Sequence, residues 1–185
     1  MESVGFKEWA LVCEALGRGE QTIILRKGGI AEGRDGFAFK HREFFLFPTL
    51  FHEQVEKTRL VEAMLPEPRE GEIAIEFFAK LEFSAVVTSW EMASALEPFH
   101  VLRTEVVRER FEYKEAPGIH VAFVRVFRLS TPWILSELPA YGGCRSWVNL
   151  PVLREAIGRK AVLGDAEHQD RTERVKKILG LVGVE

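Results

Sequence analysis

The chain has 185 residues, a formal net charge of −3, 46% hydrophobic residues and 29% charged residues. That length suits one domain around one core, and the charge excludes a global basic field that would draw the chain to nucleic acid or an anionic membrane, so any nucleic-acid role needs a local patch. No apolar run is long enough to span a membrane or to read as an export signal over Met1 to Trp9, and the two cysteines, Cys13 and Cys144, read as reduced thiols; the expected setting is the cytoplasm.

In chain order, Phe6, Trp9, Ala10, Cys13 and Leu16 recur at three- and four-residue spacing and predict a first helix that Gly17 and Gly19 stop. Cys13 lies on its apolar stripe and is expected to be buried. Residues 21–26 are rich in β-branched side chains and predict a strand, ended by Lys27, Gly28 and Gly29. A charged, glycine-rich loop follows over 31–36. A second strand over 43–47 is closed by Pro48, and Thr49 is placed to cap a helix over about 50–64 that Pro66 and Pro68 end, forming the clearest internal hinge.

Residues 72–87 begin with clear alternation. Ile73, Ile75, Phe77, Ala79, Leu81 and Phe83 share one face, Glu76, Lys80 and Glu82 the other, with Phe78 the exception, and this predicts a long strand. A short helix over 90–96 is stopped by Pro98. Residues 106–113 and 119–129 read as the arms of a hairpin around Ala116-Pro117-Gly118, the second arm central in the sheet because both its faces are apolar. Thr131-Pro132 has the form of a cap and first-turn proline and predicts a short helix to about Leu138. Tyr141-Gly142-Gly143 is a turn, 146–150 a short strand, and 151–157 a further helical candidate. From Asp165 the sequence is polar, with Glu167/Arg171, Asp170/Arg174 and Glu173/Lys177 spaced four apart, and predicts a self-supporting helix that buries little. The expected organisation is therefore a single α+β domain over 1–164, a mostly antiparallel sheet with flanking helices, followed by a polar C-terminal helix over 165–185.

Five groups of residues carry chemistry. Arg26, Lys27, Arg34, Lys40 and Arg42 against Glu32 and Asp35 give five minus two, a local +3. Gly28 and Gly29 beside them would leave backbone amides open, an arrangement that can cradle phosphate, although the spacing is not that of a P-loop. His41 and His52 flank the second strand and are the weak candidates for a metal or acid–base site; no third ligand has diagnostic spacing, and no metal or cofactor is expected. Glu112 and Lys114 form a Glu-x-Lys pair that could hold Mg²⁺ only with Glu97 or Glu91 as an acidic partner. Tyr141-Gly-Gly-Cys-Arg-Ser-Trp147 joins a turn, a thiol, a cation and two aromatics. Arg145 and Trp147 could serve base stacking or simply pack a turn. A Cys144–His168 hydrolase has little support, since His168 lies in the polar tail.

Leu25-Arg-Lys-Gly-Gly-Ile30, then Phe45-Leu-Phe-Pro-Thr49 with His52, then Tyr141-Gly-Gly-Cys-Arg-Ser-Trp-Val148 together resemble a prokaryotic family, domain-of-unknown-function family 1802. The resemblance spans about residues 6–150. It implies no established activity and no catalytic residue; the joining of some members to a restriction-endonuclease-like domain implies a restriction or defence setting. The expected function is a non-enzymatic, DNA-associated accessory or recognition domain. Arg26, Lys27, Lys40 and Arg42 would lie on phosphates, with Arg145 and Trp147 near bases. The alternatives are a metal-dependent nuclease built on Glu112 and Lys114 together with His41 or His52, and a small-molecule or protein-binding module without a nucleic-acid role. No oligomeric state follows from the sequence.

Overall fold

A computed structural model describes residues 3–27, 37–51, 53–61, 65–67, 69–113, 117–153 and 155–181. The elements run β1 (Ser3–Trp9), α1 (Ala10–Gly17), β2 (Ile23–Arg26), β3 (Glu43–Thr49), α2 (Gln54–Lys57), β4 (Glu72–Val87), α3 (Trp90–Ala95), α4 (Thr104–Glu112), β5 (Ile119–Ser136), β6 (Trp147–Leu150), β7 (Arg159–Ala161) and α5 (Asp165–Ile178). The strands form one sheet in the order β2-β5-β4-β3-β1-β6, with β7 added on β5. Only the β1–β3 pair is parallel among these strands; the others are antiparallel. The expected α+β class and mostly antiparallel sheet are what the chain forms. Among the described residues no helix is long and apolar enough to cross a membrane.

Both faces of the sheet are covered, by two apolar clusters. The larger joins Phe6, Ile23, Phe44, Phe77 and Phe123 to α1, α4 and α5. The smaller, on the opposite face, holds Phe45, Phe47, Ile75, Phe78, Leu129 and Tyr141. The two-sided burial explains why Phe78 broke the alternation of β4. The ladder to β5 jumps from Ile75↔Trp133 to Phe77↔Arg128, so one β4 residue, Glu76, spans residues 129–132 of β5. Such an irregularity re-aims the side chains beyond it.

That bulge also decides the fate of Thr131-Pro132, which does not start a helix. Pro132 lies within β5, in the first of two irregular stretches of the ladder to β4, where residues 129–132 have no paired partner on β4. The first predicted helix is likewise divided. Phe6 and Trp9 belong to β1, and the helix starts at Ala10. Pairing of β1 with both β3 and β6 overrides a three–four spacing that a short stretch can satisfy by chance. Cys13 is buried on α1 as expected, and burial raises its thiol pKa well above the ordinary value, with Glu8 and Glu14 adding to the effect. Gly17 ends α1 against β4, where a Cβ would meet the Phe77 ring at 2.1 Å.

Residues 106–113 are not a hairpin arm. They lie mostly in α4, whose Val106, Val107 and Phe111 face the core while Arg108 pairs with Glu112 at 3.0 Å one turn on. Two adjacent valines gave a β-like composition, but the polar residues around them follow helical spacing. Over 50–64 only Gln54–Lys57 is helical among the described residues, Pro48 lies inside β3, and 62–64 and Pro68 fall outside the described residues. Residues 151–153 and 155–157 are not helical, and β7 had no sequence expectation. The long strand over 72–87, the short helix from Trp90, the strand ending at Leu150 and the helix from Asp165 all form. That last helix is not peripheral: Val175 and Leu179 enter the main core and His168 is buried.

Candidate nucleic-acid interface

The two segments singled out by charge and aromatic content, around Arg26 and around Trp147, meet in space. Residues Phe6 and Trp147 are paired across β1 and β6, and the ladder continues one step as the Lys7 amide donates to the Ser146 carbonyl at 2.8 Å. Beyond that point β1 has no strand partner on this side among the described residues, and Arg26 from the end of β2 fills the place. Its Nη2 donates to the Lys7 carbonyl at 3.0 Å, its Nε to Ser146 Oγ at 3.3 Å, and its guanidinium lies over the Phe6 ring at 5.3 Å. One arginine thus ties β2 to β1 and to the entry of β6. Its partner in charge is Glu8, 3.8 Å from Nη1, with a carboxylate side chain only 1% exposed that also accepts from the Trp9 amide at 2.9 Å.

Lys7 completes the seam. Its Nζ donates to the carbonyls of Tyr141 at 2.7 Å and Gly143 at 2.8 Å, and so pins the turn that carries Cys144 and Arg145. Burial lowers the Lys7 pKa, and the nearby Arg26 and Arg145 lower it further, against the opposite influence of Cys144. Arg110 of α4 lies beneath, donating to the Leu25 carbonyl at 2.9 Å and stacked over Trp9 at 4.5 Å; burial lowers its pKa as well. Lys27 turns away from the seam, to the carbonyls of Phe111 at 3.3 Å and Gly118 at 2.9 Å. Arg26 and Lys27 therefore hold elements together instead of standing free at a solvated turn; Gly28, Gly29 and Arg34 lie outside the described residues.

The outer rim is different. Burial alternates from Phe37 to Arg42, with Phe37, Phe39 and His41 turned inward and Ala38, Lys40 and Arg42 exposed, the period of an extended chain. The inward side is anchored by rings: Phe37 and Phe39 pack on Phe6 at 6.3 and 5.7 Å, and His41 meets Trp147 edge-on at 4.8 Å. Trp147 is half-buried against Phe6 and Phe44, and its Nε1 donates to the Ala38 carbonyl at 3.3 Å. The His41–Trp147 contact sets Lys40 and Arg42 beside the turn that bears the exposed Arg145.

The other candidates are dispersed. Glu112 sits on a helix, paired with Arg108, and not on the strand that a Glu-x-Lys site requires; Lys114 and His52 fall outside the described residues. Glu97 bonds Arg59 at 3.3 Å, and Glu91 is exposed on α3. His168 is held by Glu82 at 2.8 Å and lies against Phe123, in a different part of the core from the Cys144 turn. Among the described residues no group of three or more His, Cys, Asp or Glu side chains could hold a metal ion. Sequence reasoning missed Lys7, Glu8, Ser146 and Arg110. A carboxylate two residues from Phe6, on the same strand face, was the available signal, hidden while that stretch was read as helix.

The three-motif resemblance extends to a full family match: residues 5–174 fit the family described as Domain of unknown function (DUF1802). The chain belongs to the DUF1802 family. No curated protein matches it. In fold, this DUF1802 chain is similar to a crystal structure of a serine-to-alanine mutant of ZmASCH from Zymomonas mobilis, at TM-score 0.50 and 13% identity over 97% of this chain and 95% of that one. The structure of ASCH from the same organism aligns at TM-score 0.48 and 16% identity, over 80% and 87% of the two chains. At 13% identity the first likeness is one of fold alone.

Proposed function

We propose that this DUF1802 domain is a non-enzymatic nucleic-acid-binding module whose contact face is the rim of Lys40, Arg42 and Arg145 around the His41–Trp147 pair. The observation that carries the reading is the convergence: His41, flanked by the exposed Lys40 and Arg42, meets Trp147, two residues beyond the exposed Arg145, although more than a hundred residues of chain separate them. The seam of Lys7, Glu8 and Arg26 serves to hold that face in shape. The alternating exposure of Lys40 and Arg42 lines cations along one side of an extended segment, which suits the backbone of a single strand, while ring edges beside it offer contacts to unstacked bases. Phosphate contacts position the strand and carry little sequence information. With a chain of net charge −3, the remaining surface opposes binding, and micromolar affinity at low salt is expected. DNA is taken as the partner on the restriction or defence setting that the family resemblance implies.

Fluorescence anisotropy with labelled single-stranded DNA, single-stranded RNA and duplex DNA over a salt series tests this. Single-stranded DNA is expected to bind more tightly than the duplex of the same sequence, with a log–log salt slope of roughly −2 for three phosphate contacts on a single strand. Preference for duplex overturns the single-strand reading, preference for RNA overturns the DNA assignment, and no binding of any probe at low salt overturns the function.

A further inference from the structure

The sheet face that holds the smaller apolar cluster carries a second set of cations beside the rim. Glu43, Lys80 and Arg125 are cross-strand partners on β3, β4 and β5, and Phe45, Phe78 and Phe127 are partners two residues further along the same face. Arg159 of β7, opposite Leu129, reaches back over these rings. Lys80 Nζ and the Arg125 guanidinium each lie 5.9 Å from the Phe127 ring, and the Arg159 guanidinium lies 3.5 Å from the Phe78 ring. Those two rings are 6.3 Å apart, so the three cations share one small area. The area adjoins the rim: the Arg42 carbonyl accepts from the Leu81 amide at 2.8 Å, next to Lys80 in the chain.

The aliphatic stems of these residues cover the rings while their heads stay wet. A guanidinium stacked on a ring has used one face and keeps its in-plane N–H donors. Among the described residues Arg159 is exposed and has ring contacts but no acidic partner. Lys80 and Arg125 do pair with acids, Glu43 at 2.8 Å and Asp165, but both acids are exposed. Such pairs contribute little, so a phosphate replaces the acid at small cost. Three cations against two acids leave an excess of +1, and the unpaired one is Arg159. We propose that an oligonucleotide bound at the rim continues across this face, with its backbone phosphates on Lys80 and Arg159. The inference rests on the rim reading and extends the contact surface from it onto β4 and β7.

Anisotropy of labelled oligothymidylates of about six and about eighteen nucleotides, over a salt series with the full chain, tests this. The short probe has room for the rim's three contacts and should keep a slope of roughly −2, whereas the long one should reach five contacts and a slope of roughly −3.5. The double variant Lys80→Gln, Arg159→Gln should return the long probe to roughly −2 and leave the short one unaltered. Lys80→Arg, Arg159→Lys retains both charges and should retain the steeper slope, which a mere loss of ring cover would not allow; a fall to roughly −2 contradicts phosphate contact. Equal slopes for the two lengths in wild type, or a long-probe slope that the Gln variant leaves unaltered, overturns the proposal while the rim reading stands. No binding of either probe overturns the rim reading itself. If the double Gln variant fails to fold, Lys80→Gln alone, expected at roughly −2.8 on the long probe, decides in its place.

Discussion

Arg26 and Arg42 look alike in the sequence: each stands beside another basic residue or a histidine at the end of a strand. In the structure they are opposites. Arg26 is turned inward onto the Lys7 carbonyl, Ser146 and the buried Glu8, whereas Arg42 is exposed on the rim with Lys40. The inner cations, Arg26, Lys7 and Arg110, have carbonyl and carboxylate partners and belong to the architecture. The outer ones, Lys40, Arg42 and Arg145, are exposed and are the ones a polyanion can reach. Local net charge alone does not separate these roles, because a cation already holding buried acceptors is not available for phosphate. The helix α5 repeats the division. Its outer face carries the exposed pair Arg174–Asp170, while Arg171 bonds both Glu167 and the Gly19 carbonyl, and its inner face buries His168 and Val175, with Leu179 just beyond its end.

The comparison breaks most visibly if the inner side of α5 is dispensable. Truncation before Asp165 should remove two buried aliphatic side chains from the core, at about 1.5–3 kcal/mol each, and the truncated chain should lose its cooperative thermal transition by calorimetry; an unaltered transition would place α5 outside the domain.

The next effect is acid sensitivity behind the inner cluster. Burial, reinforced by Arg59 and Arg110, lowers the His100 pKa to about 3. The folded protein keeps this imidazole neutral while the unfolded chain takes up a proton below about pH 6.5. Its stabilising contribution is thus intact above pH 6.5 and is lost as pH falls toward 3, at up to about 1.4 kcal/mol per pH unit. Urea unfolding at several pH values should show a shallower acid loss for His100→Gln than for wild type, and identical slopes would remove His100 from the account.

Arg26→Ala should destabilise by about 3 kcal/mol, since it leaves the Glu8 carboxylate buried without its cation. The companion Glu8→Gln, Arg26→Met, measured by the same urea titration, should recover part of the loss; equal loss in both variants would mean the charge pair is not what matters. The smallest effect belongs to the rim. Lys40→Ala, Arg42→Ala and Arg145→Ala should each change stability by less than about 0.5 kcal/mol, as exposed substitutions away from packed features do. A larger drop in Tm would move that residue to the inner class.

What the sequence disclosed follows the same line. Segments whose pattern is decided locally were legible: the alternation of β4, the Ser89-capped helix from Trp90, the four-spaced charge pairs of α5. Segments decided by distant partners were not. Phe6 and Trp9 satisfy helical spacing but are drawn into β1, which pairs with β3 and β6, and Pro132 falls in β5 at a ladder irregularity opposite Glu76. The candidate site was half legible. Arg145, Trp147, Lys40 and Arg42 were marked by composition, and the His41–Trp147 contact brings their two segments together. Arg26 and Lys27 were marked by the same composition, but the sequence carried no sign of the internal hydrogen bonds that hold them. Lys7, Glu8 and Ser146 carry no motif, and their importance arises only when β2 closes on β1.

The central claim, that the exposed rim and not the inner seam meets nucleic acid, is tested most directly by one titration. Anisotropy of a labelled single-stranded oligonucleotide is followed over a salt series with wild type and with the triple variant Lys40→Ala, Arg42→Ala, Arg145→Ala, both checked for an unchanged Tm. Wild type should bind with a slope of roughly −2, and the triple variant should lose binding at low salt or bind with a slope near zero. Equal affinity and equal slope in the two proteins would contradict the assignment of the rim.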